Sequence, residues 1–251
     1  PAGARLKFRS NVPQYAKFVF EPCNPKFHDI CMANKEKGLV SIMLGLENAS
    51  PIGHDIAVLE DLAARGVRYV TLTHSEDNQI CDSCTGRGKW GGLSPFGRDL
   101  VKEMNRLGVL VDVAHCADST VREVLEVSES PVVCTHGCCR ALHNHPRNLP
   151  DDLLKAIAFR GGVVGMSIYP DFLTDMPNPG VGKVVDHIEH AIDVCGIDHV
   201  GLGTDYDGID YTASGLEDVS KFQIILDVLH GRGYTQNEVD KVAGLNFLNL
   251  L

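Results

Sequence analysis

Residues 109–136 read VLVDVAHCADSTVREVLEVSESPVVCTH. Two short β-branched runs, Val109-Leu110-Val111-Asp112-Val113-Ala114-His115 and Pro131-Val132-Val133-Cys134-Thr135-His136, flank an amphipathic stretch at 119–127. The two runs are nearly continuous in apolar residues, as expected of strands buried on both faces. The stretch between them repeats its apolar residues at helical spacing. A strand, a helix and a strand in that order form a parallel pair joined by a right-handed crossover. Both strands run out into a histidine.

The same unit repeats outward in both directions. Towards the N-terminus, 40–47 and 67–74 read as strands. A helix at 55–65 carries apolar residues at 56, 59, 62 and 63, and another at 94–107 begins with Ser94 as cap and Pro95 in its first turn. Towards the C-terminus, a helix at 151–160 closes on Gly161. A strand at 162–169, a helix at 181–195 and a strand at 200–206 follow. Helices at 221–232 and 236–251 end the chain, the last with Thr235 and Glu238 as a capping box. Six strands, each followed by helix, admit a closed barrel or an open doubly wound sheet. Gly201-Leu202-Gly203-Thr204 lacks the third glycine of a dinucleotide fingerprint, and Asp205 stands where backbone amides would be needed. The length of 251 residues suits one barrel, which takes about 250. The expected fold is therefore α/β, a (β/α)8 TIM-like barrel forming a single domain over 1–251. Its first two strands lack clear counterparts, residues 16–20 being part of one, so 1–37 reads as a divergent or truncated N-terminal part.

Composition narrows the classes. With 44% hydrophobic and 22% charged residues the chain can fill a large core, which excludes a disordered protein. A net charge of −10 argues against nucleic acid or an anionic membrane as partner. No apolar run reaches the roughly 18 residues a transmembrane helix needs. The basic opening 1–10 has no apolar core of a signal peptide. Nine cysteines, an odd number, read as reduced and mostly buried thiols of a cytoplasmic protein. Cys81-x-x-Cys84 lies in a polar loop and is the only such pair, so neither a zinc ribbon nor a thioredoxin-like motif fits.

The chemistry lies where the strands end. Successive strands finish at Glu47, His74, His115, His136 and Asp205. In a barrel these ends converge on one mouth, where active sites sit. A lone histidine after an apolar strand is commonly a satisfied core or capping residue, but five ligand or acid–base types in register are not explained that way. Two imidazoles and a carboxylate suit a divalent metal of the zinc type. A carboxylate can also bridge two metals about 3.5–4 Å apart. The residues thus point to a metallohydrolase on a barrel and leave the substrate open.

Several segments resemble the membrane (renal) dipeptidase family of the metallo-dependent hydrolase superfamily. They are Gly45-Leu46-Glu47-Asn48 with Ile52-Gly53, Gly66 to His74, Gly92 to Gly97, Glu103 to Gly108, Val111 to His115, His145 to Asp152, and Gly203-Thr204-Asp205-Tyr206-Asp207-Gly208. The resemblance runs from about Gly38 to the end of the chain. It implies a zinc-dependent dipeptidase that often tolerates a D-residue on the C-terminal side of its substrate. Glu47 then corresponds to the carboxylate bridging two zinc ions, and His115 and His136 to the histidines of the second zinc. His74 corresponds to a histidine that contacts substrate, Arg147 to the arginine that holds its terminal carboxylate, and Asp205 to the aspartate that binds its amino group and shuttles protons. A homodimer stays open. The family holds its first zinc with a His-x-Asp pair on the first strand, and no such pair precedes Glu47. The nearest match, His28-Asp29, is adjacent, and neighbouring side chains on a strand face opposite ways. The connection 171–182 is also short for the family. Two other readings therefore stand beside a dipeptidase. One is a non-catalytic or metal-site-defective barrel acting as a binding protein. The other is a different amidohydrolase-type enzyme, which would want a carboxylated lysine or a further strand-end histidine.

Overall fold

The computed structural model of the chain describes residues 18–19 and 27–251. Strand β1 (Phe18–Val19) pairs in parallel with β2 (Val40–Ser41), and helix α1 (Phe27–Glu36) lies between them in the chain. The main sheet has six parallel strands hydrogen-bonded in chain order. They are β3 (Leu44–Glu47), β4 (Val67–Thr71), β5 (Leu110–Asp112), β6 (Val132–Gly137), β7 (Val163–Met166) and β8 (Val200–Leu202). Helices α2 (Ile56–Ala64), α3 (Pro95–Leu107), α4 (Asp118–Val127) and α5 (Asp151–Phe159) make the first four crossovers. A short α6 (Pro170–Leu173) and the longer α7 (Val181–Cys195) make the fifth, and α8 (Phe222–Gly231), α9 (Gln236–Asp240) and α10 (Asn246–Leu248) follow β8. A doubly wound sheet reverses its strand order at a switch point. These six strands never reverse, which is the winding of a (β/α) barrel.

Every residue of β5 and of β7 is buried, which explains why these strands show no polar alternation. The helices start and stop where their caps dictate. Ser94 Oγ accepts from the Gly97 amide at 2.9 Å, and Gly108 ends α3 in the left-handed conformation. The close approach of strands depends on glycine at two places. A Cβ on Gly165 of β7 would lie 2.2 Å from the Thr135 carbonyl oxygen, and one on Gly203 would lie 1.9 Å from the same atom.

The structure corrects several expected boundaries. The strand expected at 40–47 is two strands, and only β3 joins the main sheet. Of residues 16–20, Phe18 and Val19 form β1, and the other three lie outside the described residues. The strand expected at 162–169 stops at Met166, because the chain turns into α6 at Pro170. The single helix expected at 236–251 is interrupted at 241–245, where Gly244 adopts φ 157° and the turn widens to π geometry. The adjacent His28 and Asp29 fall within α1 rather than on a strand.

Candidate metal centre

All five candidate residues lie at the C-terminal ends of strands, but not all on them. Glu47 is the last residue of β3, and His136 is inside β6. His74, His115 and Asp205 come three residues after the ends of β4, β5 and β8. The strands expected to reach those residues stop short, and the backbone then turns. His115 takes φ 67° and Asp205 φ 58°, left-handed values that cost a non-glycine residue about 1–3 kcal/mol. The loop carrying Cys81-Asp82-Ser83-Cys84 fixes the first of these turns. The Cys84 amide donates to the His115 carbonyl at 2.8 Å, and Ser83 Oγ donates to the carbonyls of His74 at 2.5 Å and His115 at 3.2 Å. The CxxC spacing here belongs to a strap across the mouth.

Three side chains converge. Glu47 Oε1 lies 3.2 Å from His115 Nε2 and 3.3 Å from His136 Nε2, and the two imidazole nitrogens are 3.0 Å apart. Ligands held about 2.0–2.1 Å from a tetrahedral ion stand about 3.3 Å from one another, so these three atoms fit around one zinc-type cation without rearrangement. Among the described residues they are the only such group of three. The adjoining imidazoles of His115 and then His136 hold the Glu47 carboxyl far below the usual carboxylate range. Burial pushes the His115 imidazole down to about 4, against the pull of Glu47. A carboxylate beside a neutral imidazole is the protonation state a metal ligand set requires.

The other two candidates surround this group. The His74 ring stacks on His115 with centroids 4.1 Å apart, and its Nε2 is 4.0 Å from Glu47 Oε1. Asp205 Oδ2 stands 3.8 Å from His136 Nε2, and burial raises the Asp205 carboxyl above its ordinary value. Arg147 lies in the loop after β6, nearly buried, with its guanidinium carbon 5.0 Å from the centre of the Phe172 ring. Its Nε and Nη1 have no hydrogen-bond partner. A cleft of about 550 Å³ opens at His143 and His145 of the same loop rather than over the three ligands. His145, whose ring packs on Phe172, lines that cleft together with Asp171 and Tyr211.

Sequence reading passed over Asp112. It is fully buried at the end of β5 and accepts from Thr71 Oγ1 of β4 and Thr135 Oγ1 of β6. The signal was present, because an acidic residue within VLVDVA can be buried only with partners.

The chain matches the model of the membrane dipeptidase family, peptidase family M19, over residues 26–251. It is 40% identical over 215 residues to dipeptidase verJ of Clonostachys rogersoniana, an alignment covering 85% of this chain and 55% of that protein. The chain thus spans about half the length of the curated relatives it matches. Among solved structures it superposes on a probable dipeptidase, PvdM, of Pseudomonas aeruginosa with a TM-score of 0.86 at 25% identity, covering 94% of this chain and 73% of that one. A metallopeptidase of Rhodobacter sphaeroides, bound to a phosphinate mimic of the dipeptide L-Ala-D-Ala, gives 0.85 at 28% identity, covering 93% and 68%.

Proposed function

Because this chain belongs to the membrane dipeptidase family, peptidase family M19, we propose that it hydrolyses the peptide bond of dipeptides with a zinc ion held by Glu47, His115 and His136. The observation that carries this reading is the mutual spacing of those three ligand atoms, 3.0–3.3 Å. A divalent ion there supplies Lewis-acid polarisation of the peptide carbonyl and lowers the pKa of water. The chain's own residues do the rest. Arg147 binds the substrate's terminal carboxylate, since its planar guanidinium has donors at Nε and Nη1 that no other group of the protein takes up. Asp205, whose Oδ2 stands 3.8 Å from His136 Nε2, binds the free ammonium group and passes a proton to the departing amine. His74, half-exposed above His115, contacts the reacting carbonyl. The peptide C–N bond breaks, the oxygen of water ends on the carbonyl carbon, and its proton leaves on the amine. The relative bound to an L-Ala-D-Ala mimic supports tolerance of a D-residue on the C-terminal side. Among the described residues one such ligand group is present.

The test is zinc uptake and dipeptide hydrolysis by the full chain and by Glu47→Gln. The wild type binds zinc and turns over, whereas Glu47→Gln loses a charged ligand and falls by 10²-fold or more, about 2.7 kcal/mol of transition-state stabilisation. Equal turnover of chelated and zinc-loaded protein contradicts the reading. A well-folded, zinc-binding barrel without turnover selects the non-catalytic alternative.

A further inference from the structure

We propose that Asp112, acting through Thr135, is a positioning residue that sets the tautomer of His136 and thereby its competence as a metal ligand. The inference rests on the reading of Glu47, His115 and His136 as a metal site. Asp112 is 0% exposed, and its carboxylate accepts four hydrogen bonds. Its Oδ1 accepts from the amides of Ala114 at 3.0 Å and Thr135 at 2.9 Å. Its Oδ2 accepts from the hydroxyls of Thr71 at 2.5 Å and Thr135 at 2.7 Å. A carboxylate can only accept, so the Thr135 hydroxyl proton is committed to Asp112. What Thr135 Oγ1 then offers on its other side is a lone pair, and it lies 2.9 Å from His136 Nδ1. That contact is a hydrogen bond only if Nδ1 carries the proton.

The proton on Nδ1 leaves Nε2 bare. Nε2 is the atom that faces Glu47 Oε1 at 3.3 Å and His115 Nε2 at 3.0 Å. The opposite tautomer would set two lone pairs against each other at Thr135 and put a proton where the cation belongs. The relay thus runs from a buried charge through one hydroxyl to one ring nitrogen. Groups that orient a ligating imidazole in this way are worth about 10- to 100-fold in metal affinity. Thr71 offers a built-in control, because it bonds the same carboxylate oxygen but makes no hydrogen bond to His136.

The experiment compares zinc dissociation constants, by competition with a chelator, for the full chain and for Thr135→Val, Thr135→Ser and Thr71→Val. Thermal stability in the presence of excess chelator is measured alongside. Both valine variants lose a hydrogen bond to Asp112, so both melt earlier. Only Thr135→Val weakens zinc binding by about 10- to 100-fold, and Thr135→Ser, which keeps the hydroxyl, restores it. Equal zinc affinity for the two valine variants overturns the relay and leaves Asp112 a purely structural tie. Should Thr135→Val not fold, long-range proton–nitrogen NMR on the zinc-free wild type decides: Nδ1–H on His136 supports the relay, and Nε2–H overturns it. Failure of the underlying metal reading looks different, since the wild type then takes up no zinc, which overturns both.

Discussion

Arg147 holds a permanent charge in a nearly buried position with Nε and Nη1 lacking any partner, an arrangement that costs free energy until a ligand fills it. The Phe172 ring beneath it offers a cation–π contact but no acceptor. Arg147→Lys keeps the charge and loses the fork. One lost charge-assisted hydrogen bond of about 1.5–3 kcal/mol corresponds to a fall of roughly 10- to 100-fold in kcat/KM for dipeptides. An amidated dipeptide, which has no carboxylate to lose, changes far less. Unchanged constants for the free dipeptide would remove this role from Arg147. At this scale the residue types were legible. Glu47, His115 and His136 announce themselves as ligand types after apolar runs, and the structure brings their atoms within 3.3 Å of one another. Thr71 and Thr135 were not legible, because a threonine in a strand reads as β-propensity until its hydroxyl is seen to face a buried carboxylate.

Strands and their ends carry the next scale. Alternation of β-branched runs with amphipathic runs was enough to give six parallel strands in order, since each crossover must bury a helix face on the sheet. The ends were less legible. His74, His115 and Asp205 sit past the ladders because the last paired residues are Thr71, Asp112 and Leu202. Local apolarity alone does not reveal where pairing stops. Gly244 broke the final helix for the same reason that it could have been suspected, as glycine admits the φ of 157° seen there. The glycines at β7 and β8 give a prediction at this scale. Thr135 leads into His136, and its carbonyl oxygen fills the space where a Gly165 side chain would stand. Gly165→Ala therefore forces β6 and β7 apart and costs about 1–3 kcal/mol by overpacking. Urea denaturation of the zinc-free protein checks this, and an unchanged midpoint would show that the strands have room to relax.

At the scale of the molecule, the barrel gathers side chains from four different strand ends, β3, β5, β6 and β8, around one point. It adds His74 above them. The eight described cysteines are free thiols, and burial pushes Cys138, for instance, up to about 12, which keeps it inert. Among the described residues no helix is long and apolar enough to cross a membrane. In the proposed reading Arg147 is a positive clamp for the substrate's carboxylate and Asp205 a negative one for its ammonium group, with the scissile bond at the ligand group of Glu47. Two opposite charges at a fixed separation measure the length of a zwitterionic substrate. A tripeptide must leave one clamp empty, at about 1.5–3 kcal/mol for each charge-assisted hydrogen bond lost. The most direct measurement is the hydrolysis of a matched dipeptide and tripeptide by the full chain in the presence of zinc. The account predicts turnover of the dipeptide and a tripeptide efficiency lower by roughly 10- to 100-fold or more. Comparable turnover of the two would contradict it.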